Sequence, residues 1–407
     1  LIARFKTTTC DILSFRLASH HLAMRVHTSK LVQVCSATGF KNPTPMAILP
    51  ALNARVEGCT VNRVGQALLR EKSLMQQLSL RQIIRIIPRH DVAVFTRALI
   101  PYDEEELLYH TRQAMNMIVA LDVEAFTLLK MMETTITLVL SGKELTKEEL
   151  VRALALAMQD LLTNAQKEIW RWPSELVGRE TLGESLLRLL LPVFSLKGFL
   201  CVMPLKGNAQ NRTIRLTHEF FGKLFPGFDD VSDANASEEL VKRYLHCYGP
   251  ATEESFARWA GVSDRQAQRM WEPLLETLAE VQWNDFSGWM LQEDVEQLGH
   301  SFVTDNLHLL GPHDPWLQHD NRNLLLDGKQ LFRYFFKSTG PPPGMVLFDG
   351  KCVAGWHQRR QGNKLYVTIE DIGLPLGRVA VSEIEHEIWR LATAMHLRSG
   401  GFSLKHV

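Results

Sequence analysis

Tyr248-Gly249-Pro250-Ala251-Thr252-Glu253-Glu254-Ser255-Phe256-Ala257-Arg258-Trp259-Ala260-Gly261-Val262-Ser263-Asp264-Arg265-Gln266-Ala267-Gln268-Arg269-Met270-Trp271 is the stretch whose reading decides the fold. Gly249-Pro250-Ala251 stops an amphipathic helix predicted from residue 238 to 248, with Leu240, Tyr244, Leu245 and Tyr248 on its buried side. Thr252 caps a short second helix, predicted to end at Ala260. Gly261-Val262 then makes a tight corner: the small Ala257 lets two helices approach, and glycine takes the backbone conformation of the turn. Ser263 caps a third helix that buries Ala267, Met270 or Trp271, and Leu274, and exposes Arg265, Gln268, Arg269 and Glu272. Pro273 predicts a kink or an early end. Strands near 280–284 and 288–291, around Asp285-Phe286-Ser287, complete a helix-turn-helix with a hairpin, the order of a winged-helix unit.

Upstream, Thr146 and Glu149 form a capping-box pattern, and Leu150, Leu154 and Met158 follow at four-residue spacing. A second helix is predicted from Thr181 to Leu191, stopped by Pro192. Apolar runs at 195–203 and 212–217 flank Lys206-Gly207-Asn208, another hairpin. Residues 179–217 hold six basic residues against two acidic ones, which places Lys197, Lys206, Arg212 and Arg215 on or beside this wing. The N-terminal section begins with a helical stretch predicted over 19–33. Downstream, Asp349-Gly350 between apolar runs is a strong hairpin signal, Gln361-Gly362-Asn363 is a second turn, and a helix is predicted over 382–397. The expected fold class is therefore α+β, mainly helical with β wings. Tandem winged-helix units over 1–110, 111–231 and 232–300 are followed by a small β-barrel-like module over 301–407.

Composition fits an ordinary globular chain of 407 residues, with 45 basic and 45 acidic side chains. That balance excludes a histone-like polycation, although a basic face remains compatible with nucleic acid. The most apolar stretch, 186–194, is interrupted by Arg188 and Pro192 and is far shorter than the roughly 18 residues of a membrane span. Six cysteines lie far apart and suggest neither zinc clip nor disulfide frame, so a reducing cytoplasm is the expected setting. No phosphate-cradling glycine loop, Gly-x-Ser-x-Gly or His-Glu-x-x-His pattern occurs, and no cofactor, metal or membrane partner is expected. The acidic run Asp103-Glu104-Glu105-Glu106 reads as a helix start rather than a metal site.

Two basic clusters are candidate contacts for duplex DNA. Arg265, Gln266, Gln268 and Arg269 open the third helix of the corner, where arginine matches guanine and glutamine matches adenine in the major groove. Arg359, Arg360 and Lys364 sit at a predicted hairpin tip that can reach phosphates or a minor groove.

Taken together, Tyr248–Thr252 with Phe256–Gly261, Asp314-Pro315-Trp316, Arg322 with Leu324-Leu325, Val346–Gly350, Gly355-Trp356 and Arg359-Arg360 resemble a family of bacterial winged-helix DNA-binding proteins. That family includes the AlkZ-like crosslink-repair DNA glycosylases. The resemblance implies three winged-helix units and a small β-barrel around a concave DNA-binding surface. It also implies a glutamine–apolar–glutamine or glutamine–apolar–aspartate motif that positions the hydrolytic water. The corresponding stretch, Gly39-Phe40-Lys41-Asn42-Pro43-Thr44-Pro45, lacks such a pair, and Gln33-Val34-Cys35 keeps a single glutamine. A family pattern of the form Trp-x-Met-Arg-Gly is represented by Leu78-Ser79-Leu80-Arg81-Gln82, in which Arg81 matches. Gln33, Lys41, Asn42 and Arg81 are thus the catalytic candidates, with Lys41 a candidate amine nucleophile. The sequence favours a DNA-binding protein that is catalytically silent or degenerate. A glycosylase acting on alkylated or crosslinked bases is the alternative, and a protein-interaction scaffold the third reading.

Overall fold

The computed structural model describes residues 4–41, 44–205, 208–222, 228, 231–300, 307–318, 326, 329–336 and 342–407. The chain forms two compact units that interleave along the sequence. One comprises Leu1–Leu74, Val241–Ser255 and Leu274–Val407, the other Met75–Leu240 and Phe256–Pro273.

The first unit is organised around the helix Thr9–Ser19. Thr8 and Asp11 form its capping box, with Asp11 N–H donating to Thr8 Oγ1 at 3.2 Å and Thr8 N–H to Asp11 Oδ2 at 3.1 Å. Asp11 is correspondingly held below the usual carboxylate range, chiefly by the Thr8 hydroxyl. Phe15 packs with Ala279, Val281, Met290 and Val295, the inner side of the hairpin Leu278–Trp283 and Phe286–Leu291. Arg4–Thr7 pairs in parallel with Leu278–Trp283. Leu13 and Leu17 enter another core with Trp316, Met345 and Leu347, beneath a five-stranded sheet.

That sheet runs in the order Arg398–His406, Lys364–Asp371, Lys351–Gln361, Gly344–Phe348, Leu307–Leu310. Its Asp349-Gly350 turn has φ of 48° and 72°, the paired positive values that a two-residue hairpin with right-handed twist requires. Glycine is needed there twice over, since a Cβ on Gly350 would stand 2.7 Å from Leu17 Cδ1. Helix Val381–Ala394 buries Ile384, Ile388 and Leu391 and leads into the last strand, which joins Lys364–Asp371 in parallel.

The second unit has a leucine-rich helical core. Helices Ala125–Leu140, Lys147–Met158 and Leu182–Ser195 contribute Leu128, Met132, Leu150, Leu154, Leu186 and Leu190, and Ile214 and Leu216 cover it from the hairpin Leu200–Leu205 with Asn208–Leu216. Each such leucine contributes about 1.5–3 kcal/mol by leaving water. Gly183 has no side chain because the buried Trp170 indole lies against it, where a Cβ would come within 2.1 Å. Trp170 Nε1 donates to Ala155 O at 3.0 Å, so the buried N–H is satisfied.

Several expectations hold. Thr146 and Glu149 make the capping box of Lys147–Met158. Thr252, Ser263 and the early end at Pro273 stand as read, with α-helix Asp264–Trp271 giving way to a 3-10 turn over Glu272–Thr277. The preceding helix is longer than expected, Asp233–Tyr248.

Others are corrected. The stretch 19–33 is not one helix. The Thr8 capping box starts a helix earlier, and His21 at φ 55° ends it, so a turn and a bridge from Val26 to Val56 precede Leu31–Thr38. Pro192 does not stop its helix, which continues to Ser195. The lost backbone donor is outweighed by burial of Val193 and Phe194 in the core. The barrel-like module is an open sheet among the described residues, because Leu307–Leu310 and Arg398–His406 lie at opposite edges without pairing. Arg4–Thr7, Leu74–Leu78, Ile84–Pro88 and Arg398–His406 are strands for which no sequence signal was found.

Candidate nucleic-acid interface

The corner between Glu253–Ala260 and Asp264–Trp271 is built as its sequence dictates. Gly261 sits at φ 77°, and a Cβ there would stand 2.6 Å from the Arg81 Cα, so only glycine fits. Arg81 and Gln82 themselves hold φ of 57° and 56°, two successive non-glycine residues in the left-handed region. Arg81 is exposed, while Gln82 Nε2 donates to His110 O at 3.2 Å.

The four candidates on Asp264–Trp271 then separate. Gln266 is fully buried with Nε2 3.4 Å from Ile100 O, which removes it from any base-reading face. Arg265 pairs with Asp103 at 2.7 Å and Glu105 at 2.6 Å. Arg269 meets Glu106 at 2.9 Å and lies 3.5 Å from the Tyr102 ring centroid. Gln268 is exposed. The acidic run 103–106 thus has two jobs. Asp103 caps Glu104–His110 by accepting from Glu106 N–H at 2.9 Å, and the carboxylates neutralise the arginines of the corner helix.

The wing candidates are likewise engaged. Lys197 pairs with Glu133 at 2.6 Å and Arg215 with Glu144 at 2.7 Å, Arg215 also lying over Phe220. Arg212 is half-buried, and burial lowers its pKa from the ordinary guanidinium value. Lys206 lies outside the described residues.

The hairpin Lys351–Gln361 with Lys364–Asp371 differs. Arg359 lies over Tyr366 at 5.8 Å, Arg360 Nε donates to Gly362 O at 3.1 Å, and Lys364 is exposed opposite Arg398. Among the described residues none of these four cations has a carboxylate partner. A positive tip of this kind suits phosphate contact.

Of the catalytic candidates, Gln33 and Lys41 lie in the first unit and Arg81 in the second. Gln33 is exposed on Leu31–Thr38, and Asn42 lies outside the described residues. Lys41 is half-buried after the buried Phe40. Burial, and next the Lys41 charge, lower the pKa of His313 from the ordinary imidazole value. Thr44 caps the following helix, Pro45–Asn53.

Tyr248–Pro250, read from sequence as the end of a helix, and Asp314-Pro315-Trp316, which the sequence left without a role, each receive a buried arginine. Arg55 and Asp314 form a fully buried bidentate pair at 2.8 and 2.6 Å, and Trp316 N–H donates to Asp314 Oδ1 at 2.9 Å. Buried Arg16 donates through Nε to Gly249 O at 3.1 Å and through Nη2 to Tyr248 O and Pro250 O. Both motifs are thus structural anchors for buried guanidinium groups. No group of three or more His, Cys, Asp or Glu is placed to hold a metal among the described residues, and no described helix is long and apolar enough to cross a membrane.

The comparisons with known proteins give this arrangement a class. The family model for DNA glycosylase AlkZ-like proteins matches residues 38–394, and the chain belongs to that family. The interstrand DNA cross-link repair glycosylase of Streptomyces sahachiroi is 26% identical over 164 residues, which span 39% of this chain and 43% of that protein. The solved structure of Streptomyces sahachiroi DNA glycosylase AlkZ shares the fold, with a TM-score of 0.74 and 18% identity over 99% of this chain and 100% of that one.

Proposed function

We propose that this protein is a DNA-repair glycosylase that binds duplex DNA and releases alkylated or crosslinked bases. The observation that carries the reading is the family match over residues 38–394. The tandem winged-helix organisation over 1–110, 111–231 and 232–300, with the module 301–407, is part of the proposal. So is DNA contact by Arg359, Arg360 and Lys364, which have no carboxylate partner among the described residues.

Residues 39–45 offer no pair of glutamines to orient a water, and the half-buried Lys41 is the candidate amine nucleophile in their place. Cleaving an N-glycosidic bond builds positive charge on the sugar, and an amine can capture C1′ as the base departs. The nitrogen–C1′ bond forms as the base leaves with the bonding electron pair, and the C1′–O4′ bond then breaks, O4′ taking a proton from the nitrogen, to leave a Schiff base on Lys41. Duplex carrying alkylated bases, incubated with the protein and treated with alkali, should break above a buffer control. Borohydride should trap a covalent protein–DNA adduct, and Lys41→Met should abolish it.

A second reading has its own support. The same missing glutamine pair favours a protein that binds DNA without releasing bases. Duplex binding without alkali-labile sites would establish it.

A further inference from the structure

A recess of about 300 Å³ opens on the outer face of the five-stranded sheet, lined by His357, Arg359, Tyr366, Thr368, Gly401 and Phe402 among others. It exists because the edge strand bulges. Leu365 pairs with Ser399 and Val367 with Phe402, so Gly400 and Gly401 together face the single residue Tyr366. Any side chain on Gly400 would collide with the Tyr366 ring, its Cβ lying 2.8 Å from Cε1, and Gly401 holds φ 87°. Two glycines thus leave the half-buried Tyr366 ring reachable at its edge strand.

The polar groups around it are held in place. His357 Nε2 lies 3.3 Å from Glu370 Oε2, and that buried carboxylate also accepts from Tyr334 and faces Lys405 Nζ at 3.4 Å. Ser403 Oγ lies 3.5 Å from Thr368 Oγ1, and Arg359 covers Tyr366. At the same end of the strands stand Arg360, Lys364 and Arg398, cations without carboxylate partners among the described residues.

We infer that this recess binds one unpaired nucleobase of a DNA strand, the base against Tyr366 and its flanking phosphates toward Arg359, Arg360, Lys364 and Arg398. A ring wall, fixed hydrogen-bonding groups and uncompensated positive charge are what a single nucleotide of a polyanionic strand requires. A paired base keeps its faces stacked in the duplex and is excluded, so the recess selects unpaired positions. The inference rests on the DNA-acting reading above and adds the form of DNA recognised.

The test uses the full chain and 2-aminopurine, whose fluorescence falls on stacking. One duplex carries it as an unpaired bulge and a second carries it fully paired. Tighter binding and quenching are expected for the bulge. Tyr366→Leu should weaken bulge binding roughly 5- to 100-fold while leaving the paired duplex unchanged, and Tyr366→Trp should retain it. Equal affinity for both duplexes, or a Tyr366→Leu protein that discriminates as before, overturns the recess while the DNA-acting reading stands. Binding to neither duplex overturns both. Circular dichroism of each variant separates misfolding from lost contact, and a misfolded Tyr366→Leu is replaced by Arg359→Gln, which should lose the same preference.

Discussion

Arg265 and Arg269 of the corner helix and Arg359 and Arg360 of the long hairpin are the same residue type, each proposed from sequence to meet DNA, yet their surroundings are opposite. The corner arginines face Asp103, Glu105 and Glu106, carboxylates some 160 residues away in sequence. The hairpin arginines meet an aromatic ring and a backbone carbonyl. A helix-turn-helix pattern fixes where an arginine stands along its helix but not what charge a distant segment brings to it. Among the described residues, positive charge without a carboxylate partner stands on the hairpin and not on the corner helix.

The comparison breaks first at the hairpin. Replacing Arg359, Arg360 and Lys364 together with glutamine should weaken duplex binding about 10- to 100-fold and flatten the dependence of log affinity on log salt by roughly 2.7. Unchanged salt dependence, measured by fluorescence anisotropy across a salt series, would move the contact elsewhere.

Arg269→Gln should do the reverse. It strips a partner from the buried Glu106 carboxylate, costing about 1–3 kcal/mol of stability in denaturant unfolding. DNA affinity should stay within about twofold.

Acid acts on the unit that carries the hairpin. His308, in the sheet that carries the hairpin, is pushed down to about 3, first by burial and then by the charge of Arg25. Buried His20 is also held far below its ordinary value, by desolvation and by Arg55 and Arg16. Unfolded, these imidazoles take protons near pH 6.5, whereas folded they do not. Their contribution to stability is therefore complete above about 6.5 and is lost as pH falls toward 3. His246 runs the other way, since its hydrogen bond to Asp294 raises its pKa and stabilises the fold below that raised value. Thermal melts at pH 7.5 and 4.5 should show the acid loss, and His308→Gln should reduce it.

The smallest effect belongs to Arg265. Its pairs are exposed at the surface, so Arg265→Gln should shift stability by under about 0.5 kcal/mol in the same unfolding measurement.

How far the sequence carried the fold follows from the same contrast between local and distant information. Caps and corners written within a few residues, such as Thr146 with Glu149, Ser263, and Asp349-Gly350, were legible because their chemistry is local. Arg4–Thr7 was not, since its pairing partner lies more than 270 residues away and four residues carry no period. Gln266 shows the same limit at the candidate site: its place in the first turn was readable, but its burial depends on Ile100. Asp314-Pro315-Trp316 was visible as a pattern, and its purpose emerged only with Arg55 against it.

The account turns most directly on base release. Duplex bearing alkylated bases, incubated with the full chain and then heated in alkali, should yield strand breaks above buffer and above Lys41→Met. Intact strands from a protein that still binds the duplex would contradict the glycosylase assignment and leave a DNA-binding protein without that chemistry.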